Sequence, residues 1–426
     1  MAMGFMISPL SLVVLGNSAG MMGHWYLWTI PIVAIINFWT AYGYARLPDE
    51  SGSEAQKIHV KIDSKWVSTA LQLASLIPFC IGVSTLILAM AGYALNEIFL
   101  YWFPNFLFSI CFLILIVAVN FIKPSAFGKL QILSVVTFMG SMMLLLIMGF
   151  FNWGEPVFEN QNGPHMPYVD WRSLVLIFWL FMAAELAVYH DSVQQNRRSQ
   201  TFSLMAAFVA AGAIFLLWWQ VSLHFVPLER LADSTVPHSI AARAISGENG
   251  RKIMGVAILA GSFASVNTLL AGVSAVIHSM VRSRQIFPVL NRKILGGNVV
   301  MMILFIGILC MLLTGMAGKD ITVTVTRSAF YLWLISHAVF NAFAIRKLLH
   351  SSGKKNKRLT LPGFFAVMVY AVGAVVLIAT DPDMTISLFF IVGFIVISIL
   401  TMIFSRLLPY KPVKNLFTSK KERKMI

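Results

Sequence analysis

Apolar stretches long enough to cross a lipid bilayer recur along this 426-residue chain, and they leave little room for a water-soluble fold. A bilayer core is spanned by about 20 apolar residues in a helix, and runs of about 18 with few charges mark such a segment. They fall at 4–22, 25–45, 66–94, 103–122, 128–151, 172–191, 202–226, 252–281, 294–316, 323–346, 361–380 and 384–408. The first is the weakest. Only 12% of the residues are charged against 58% hydrophobic. A soluble domain carries about a quarter charged residues, which it needs to cover its surface. Here lipid does the covering. The expected fold class is all-α and integral to the membrane, with about 12 transmembrane helices.

The net charge of +15 is distributed to match. With both ends on the cytoplasmic side, 25 of the 32 lysines and arginines lie in cytoplasmic segments. Such an excess orients spanning helices, and it predicts a multi-pass protein of the inner (plasma) membrane with cytoplasmic termini. No basic patch stands apart from these loops, so no nucleic-acid partner is expected. The 227–251 loop, with Pro227, Pro237 and Gly247, has room for a short surface helix. Cys80, Cys111 and Cys310 all sit in apolar runs, without the spacing of a disulfide framework or metal site. They read as small core residues. Met1 to Ser8 lacks a basic n-region, so no cleaved signal peptide is expected.

In lipid a helix satisfies its own backbone groups, so a break in one is informative. One candidate is Gly16-Asn17-Ser18-Ala19-Gly20 in the first span, two glycines around poor helix formers. The alternative for this segment is a small-residue face for close helix packing. The second candidate is Met182-Ala183-Ala184-Glu185 in the sixth span. An intramembrane acid costs about 2.5–3.5 kcal/mol to insert and faces a cavity or a partner. Glu185 is thus a functional candidate, or else a structural acid bonded to freed amides. The two breaks lie five spans apart, the spacing of an inverted five-helix repeat with a central binding site. On that pattern 4–151 is the first repeat, 172–346 the inverted second, 361–408 two further helices and 409–426 a basic tail. Free helix N-termini suit a carboxylate and free C-termini a cation. A zwitterionic amino acid or a related amine carries such groups.

Phe178-Trp179-Leu180-Phe181-Met182-Ala183-Ala184-Glu185, with Gln194-Gln195-Asn196-Arg197-Arg198 after it, resembles the sixth helix of the amino acid–polyamine–organocation superfamily. Ser262 to Leu270, leading to Arg282-Ser283-Arg284-Gln285-Ile286-Phe287-Pro288, resembles its eighth helix and following loop. Asn120-Phe121 through Gly128-Lys129-Leu130-Gln131 is similar to its fourth-to-fifth junction. The layout resembles the bacterial branch that exports methionine and branched-chain amino acids. The chain departs from the family where Ala183 replaces a glycine and where the proline of an Asn-Pro-Arg run is missing. The resemblance implies a LeuT-like five-plus-five inverted repeat with two extra helices.

It also implies secondary transport by alternating access, as antiporter or symporter. Gly16, Asn17, Ser18, Ala19 and Gly20 would hold one end of the solute and Ala183, Ala184 and Glu185 the other, with Phe178 and Phe181 as gates. Ser262 and Ser265, one turn apart on the eighth span, are the candidate hydroxyls for a sodium ion. Proton coupling through Glu185 is the other option, and no further cofactor or metal is expected. His278 and His337 read as hydrogen-bonded packing residues. No Walker loop, nucleophile elbow or zinc helix is present, so neither ATP-driven transport nor hydrolase chemistry is expected. A non-transporting ligand sensor and a structural partner in a complex are compatible with the same sequence, as are a monomer and a homodimer.

Overall fold

A computed structural model describes residues 2–46, 65–122, 124–154, 171–187, 197–282, 285–291, 293–294, 297–315, 319–350 and 360–407. The basic tail 409–426 and the Gln194–Asn196 motif lie outside the described residues. Among those described, seven helices are long and apolar enough to cross a bilayer, and five shorter apolar helices accompany them.

In chain order the helices are α1 (Ala2–Met6), α2 (Pro9–Met22), α3 (Tyr26–Arg46), α4 (Lys65–Ile98), α5 (Asn105–Ile122) and α6 (Pro124–Phe151). Then come α7 (Trp171–Leu176), continued by the 3-10 turn Ile177–Phe181, α8 (Arg197–Phe225), α9 (Leu228–Ala232) and α10 (Pro237–Arg282). The last four are α11 (Val299–Gly315), α12 (Lys319–His350), α13 (Thr360–Ala379) and α14 (Met384–Leu407). The expected surface helix in the 227–251 loop is present as α9 and the first turns of α10. The latter bends at Ser246 and Gly247 before continuing inward. The span expected from 294 begins later, because β1 (Lys293–Ile294) pairs with β2 (Gly297–Asn298) in a short hairpin.

Burial separates the helices into two sorts. In α10, α12 and α4, 78, 72 and 67% of the most apolar window is buried, so these form the interior. In α6 and α14 the shares are 28 and 22%, so their apolar side chains face lipid. A helix that is hydrophobic all round is buried in one or other of these ways. α10 packs along α6 and α4, and α12 along α4 and α13. Cys80 is buried as expected, but Cys111 and Cys310 are exposed on the apolar surface rather than in the core.

The first span corrects the sequence reading. The backbone of Gly16 to Gly20 is helical throughout, within an unbroken α2. The break falls instead at Ile7–Ser8. Pro9 has no N–H to give and its fixed φ suits the first position of a helix. Ser8 is extended (φ −71°, ψ 150°) and its side chain accepts from the Ser11 amide at 3.0 Å. That satisfies one of the orphan donors at a helix start. The two glycines serve close packing. A Cβ on Gly16 would lie 2.5 Å from the Pro237 ring. One on Gly20 would fall on the Leu228 carbonyl and the Ala232 amide of α9. Asn17 joins the same contact: its side-chain nitrogen, oriented to suit its surroundings, donates to the carbonyls of Leu231 and Ser234 at 3.0 Å.

Candidate functional site

The break in the sixth span lies where the sequence places it. After the 3-10 turn, Met182 is extended (φ −63°, ψ 161°). Ala183 has φ 58°, the sole positive φ at a non-glycine among the described residues. Helical bonding resumes when Leu186 N–H donates to Ala183 O at 3.1 Å and Ala187 N–H to Ala184 O at 3.2 Å. The left-handed conformation costs an L-residue about 1–2 kcal/mol, so packing holds Ala183 there. The two breaks are neighbours: α1 and α2 both pack on the Ile177–Phe181 turn.

The aromatic residues around the breaks divide. Phe181 stacks on Phe208 of α8 (5.5 Å, 8°) and meets Phe215 edge-on at 5.9 Å. Phe178 packs on Tyr370 of α13 at 5.3 Å. Both rings thus sit against neighbouring helices. Trp179 packs toward α4 and α12 instead. It lies 5.7 Å from Phe79, itself 5.8 Å from Phe5 of α1, and 5.1 Å from Phe330 of α12. Its indole nitrogen is buried without a hydrogen-bond partner.

Glu185 is buried just past the break. Its Oε1 accepts from the Trp333 indole N–H at 3.0 Å and lies 3.3 Å from His337 Nε2. The His337 and Trp333 rings are 3.8 Å apart, and His337 Nδ1 is bonded to Trp333 O. Around this pair runs a polar chain. Tyr370 donates to Asn37 Oδ1 at 3.1 Å and to Thr40 at 3.3 Å, and Asn341 donates to Thr40 at 3.1 Å. Sequence reasoning set His337 aside because a lone histidine on an apolar helix has no visible partner. The acid it meets is 152 positions away.

The eighth-span hydroxyls are buried and take different roles. Ser265 donates to the Gly4 carbonyl at 2.8 Å, so it does sit beside a carbonyl of the first span. Ser262 turns to its own helix, donating to Ile258 O at 2.7 Å. One turn further on, an amide chain fixes the same region. Asn120 donates to Asn267 and Asn267 to Gln131, both at 2.7 Å, while Gln131 donates to Thr268 at 2.9 Å and Ala264 O at 3.1 Å. This chain ties α5, α6 and α10 together next to α1.

At the other end of α12, Arg327 bonds Asp381 at 3.0 Å and Asp383 at 2.9 Å. Asp381 also accepts from Tyr331 at 2.8 Å and Ser387 at 2.7 Å. Burial alone would raise the Asp381 carboxyl, but the Ser387 hydroxyl, the Asp383 amide, Tyr331 and Arg327 together hold it below the usual carboxylate range.

Two broken helices side by side in an all-helical membrane bundle, with an acid buried at one break, define the class: a multi-pass membrane transporter, not an enzyme. The model of the family described as amino acid permease matches residues 1–407, and the chain belongs to that family. Over 121 residues it is 27% identical to the putrescine transporter PotE of Escherichia coli (strain K12), a stretch that makes up 27% of each protein. The match thus spans about a quarter of that relative's length. Two mutant structures of an Eremococcus coleocola manganese transporter share the fold at a TM-score of 0.56. They are 12 and 14% identical, over 95% of this chain and 92% of theirs. The fold is therefore that of LeuT-like transporters, and the cargo of the family is a small solute.

Proposed function

We propose that this protein carries an amino acid or a related amine across the plasma membrane by alternating access, with the solute held between the Ile7–Ser8 and Met182–Ala184 breaks. The observation that carries the reading is the apposition of these two interruptions, with α1 and α2 both packed on the Ile177–Phe181 turn. The start of α2 offers backbone amides and the positive end of a helix dipole to a carboxylate. The end of the Ile177–Phe181 turn offers carbonyls to an ammonium group. Helix breaks at corresponding places of two five-helix halves bind solutes in this way in other transporter folds. The stretch similar to a putrescine transporter supports including amines in the solute class. Sequence-based assignment of Gly16 to Gly20 as the binding segment gives way here to Ile7 and Ser8, about two to four turns earlier. Phe178 and Phe181 give way to Trp179 as the ring next to the solute.

The test is counterflow in proteoliposomes with a panel of labelled amino acids and amines, with and without sodium and a pH gradient. Accumulation of at least one panel member, abolished by Ser8→Trp, is the expected result. A folded, reconstituted protein that moves none of them would refute it.

A further inference from the structure

The corner between α8 and the spanning part of α10 carries a buried titratable group that the proposed solute site does not use. α10 has 46 residues, where about 20 cross a bilayer core. Its first turns, up to the bend at Ser246 and Gly247, therefore lie outside the spanning part, and together with α9 they pack over α2. These turns bury one stripe: Pro237, His238, Ala241, Ala242 and Ile245. Pro237 lies against Gly16 of α2, and the Ile245 carbonyl accepts from Asn152 at the end of α6 at 3.0 Å. His238 is 2% exposed, and its Nδ1 has no hydrogen-bond partner.

A ring sealed in an apolar stripe stays neutral, because charging it there costs desolvation with no acceptor in return. Burial alone pushes the His238 imidazole down to about 4. Among the described residues, no neighbouring element offers a charge to offset this. α2 carries no titratable residue, and α6 carries only Lys129 near its other end. Glu229, Arg230 and Asp233, on and just after α9, are exposed. Arg243 and Glu248 pair with each other at 3.0 Å in solvent, and Arg251 reaches Glu97 of α4 at 3.6 Å. His224 of α8 stacks on Trp153 at 3.9 Å.

The bend gives the corner a way to move without unfolding. Ser246 (φ −148°, ψ 31°) and Gly247 (φ 57°, ψ −138°) interrupt the helix. A Cβ on Gly247 meets nothing within 4 Å, so glycine stands there for its backbone angles rather than for space. Rotation at these two residues swings 237–245 while the rest of α10 stays packed on α6 and α4. Such a swing brings water to the buried stripe.

We propose that His238 is a proton-operated catch: neutral, it keeps the corner shut over α2, and protonated, it holds the corner open, so that acid on that side of the membrane exposes the path to the solute site. That side is the outer one on the orientation that the loop charges predict. The proposal names what regulates access to the site, and it rests on the transport reading. An open corner wets the ring and returns it to the ordinary histidine value near 6.5. Closure is then fully favoured above about pH 6.5, and that preference is lost as pH falls toward the lower value of the closed corner.

The experiment is energy transfer between pH-insensitive dyes on Thr235→Cys at the corner and Tyr101→Cys beyond the end of α4, both exposed. It uses purified full-length protein carrying Cys80→Ser, Cys111→Ser and Cys310→Ser. The ratio of open to closed corners should be flat above about pH 7 and rise by up to about tenfold per pH unit between about pH 6.5 and pH 4. His238→Gln should remove that rise. A distance that does not change over this range overturns the proposal, and so does a change that persists in His238→Gln. Unlabelled wild type gives a second measurement, the exchange of the imidazole C2 hydrogen for deuterium read by mass spectrometry. A His238 midpoint below that of an exposed histidine is expected, and an ordinary midpoint overturns the proposal. Acid opening in a protein that moves no member of the counterflow panel upholds the catch and defeats the transport reading. A corner blind to pH in a protein that does transport defeats the catch alone.

Discussion

Replacing Gly20 by alanine separates the packing role of α2 from the binding role that its sequence suggests. The added Cβ would fall on the Leu228 carbonyl and the Ala232 amide, with Ala232 Cα at 2.7 Å. All three are backbone atoms of α9 and cannot rotate away. Overpacking of this kind costs about 1–3 kcal/mol, and the better helix propensity of alanine offsets about 1 kcal/mol. The net expectation is a loss of up to about 2 kcal/mol. Gly140 of α6 and Gly393 of α14 are the controls, because a Cβ there meets nothing within 4 Å. Alanine at either site should leave stability unchanged or raise it by up to about 1 kcal/mol. The assay is the thermal midpoint of each purified variant in one detergent, with solute KM measured in parallel. Gly20→Ala should melt below wild type and both controls, with KM close to wild type. A Gly20→Ala protein that melts like its controls, yet binds solute poorly, would refute the packing account and restore an unwound segment at 16–20.

Three further outcomes follow from the geometry. Trp179→Phe keeps the ring that bridges Phe79 and Phe330 but deletes a buried N–H that has no protein partner; the midpoint should hold within about 1 kcal/mol while solute KM rises, and an unchanged KM would remove Trp179 from the site. The Asp381 carboxyl lies below its unfolded value, so its contribution to stability is present above about pH 4 and is lost as pH falls through the folded value. Asp381→Asn should therefore melt lower at neutral pH and show a shallower acid decline than wild type, and parallel pH curves would exclude this carboxylate as the source. Gln131→Leu strands the Asn267 amide and removes the donor to Thr268; a loss of about 1–3 kcal/mol and faster cysteine labelling at Ala2→Cys, half-buried on α1, are expected, and unchanged labelling would show that the amide chain does not hold α1.

Most of the membrane architecture was legible because its cause is local. An apolar run of bilayer length says helix whatever surrounds it, and α4, α6, α8 and α12 to α14 start and stop within a few residues of the expected spans. The sixth-span break was legible for the same reason, since an acid inside an apolar run asks for an explanation. The first-span break was missed although its signal is also local. Ile7-Ser8-Pro9 carries a serine cap and a proline at the first helical position, but two glycines downstream drew the reading to themselves. Glycine marks either freedom or proximity, and only the neighbour chooses. Here the neighbour is α9, some 210 residues away. The partners of Glu185 were hidden for the same reason: Trp333 and His337 meet it through the fold, not through spacing.

The seam between α2 and the 228–237 corner has a mechanical meaning. Gly16 lies against Pro237, Gly20 against α9, and the Asn17 amide bonds the Leu231 carbonyl of α9 and the Ser234 carbonyl just after it. With backbone touching backbone and no long side chains to flex, α2 and α9 form one stiff bracket. A tilt of the helix carries the corner with it, lever and handle together. A spin label on the exposed Glu229 would thus register the swing of α2 from a site that solvent can reach and the solute never touches.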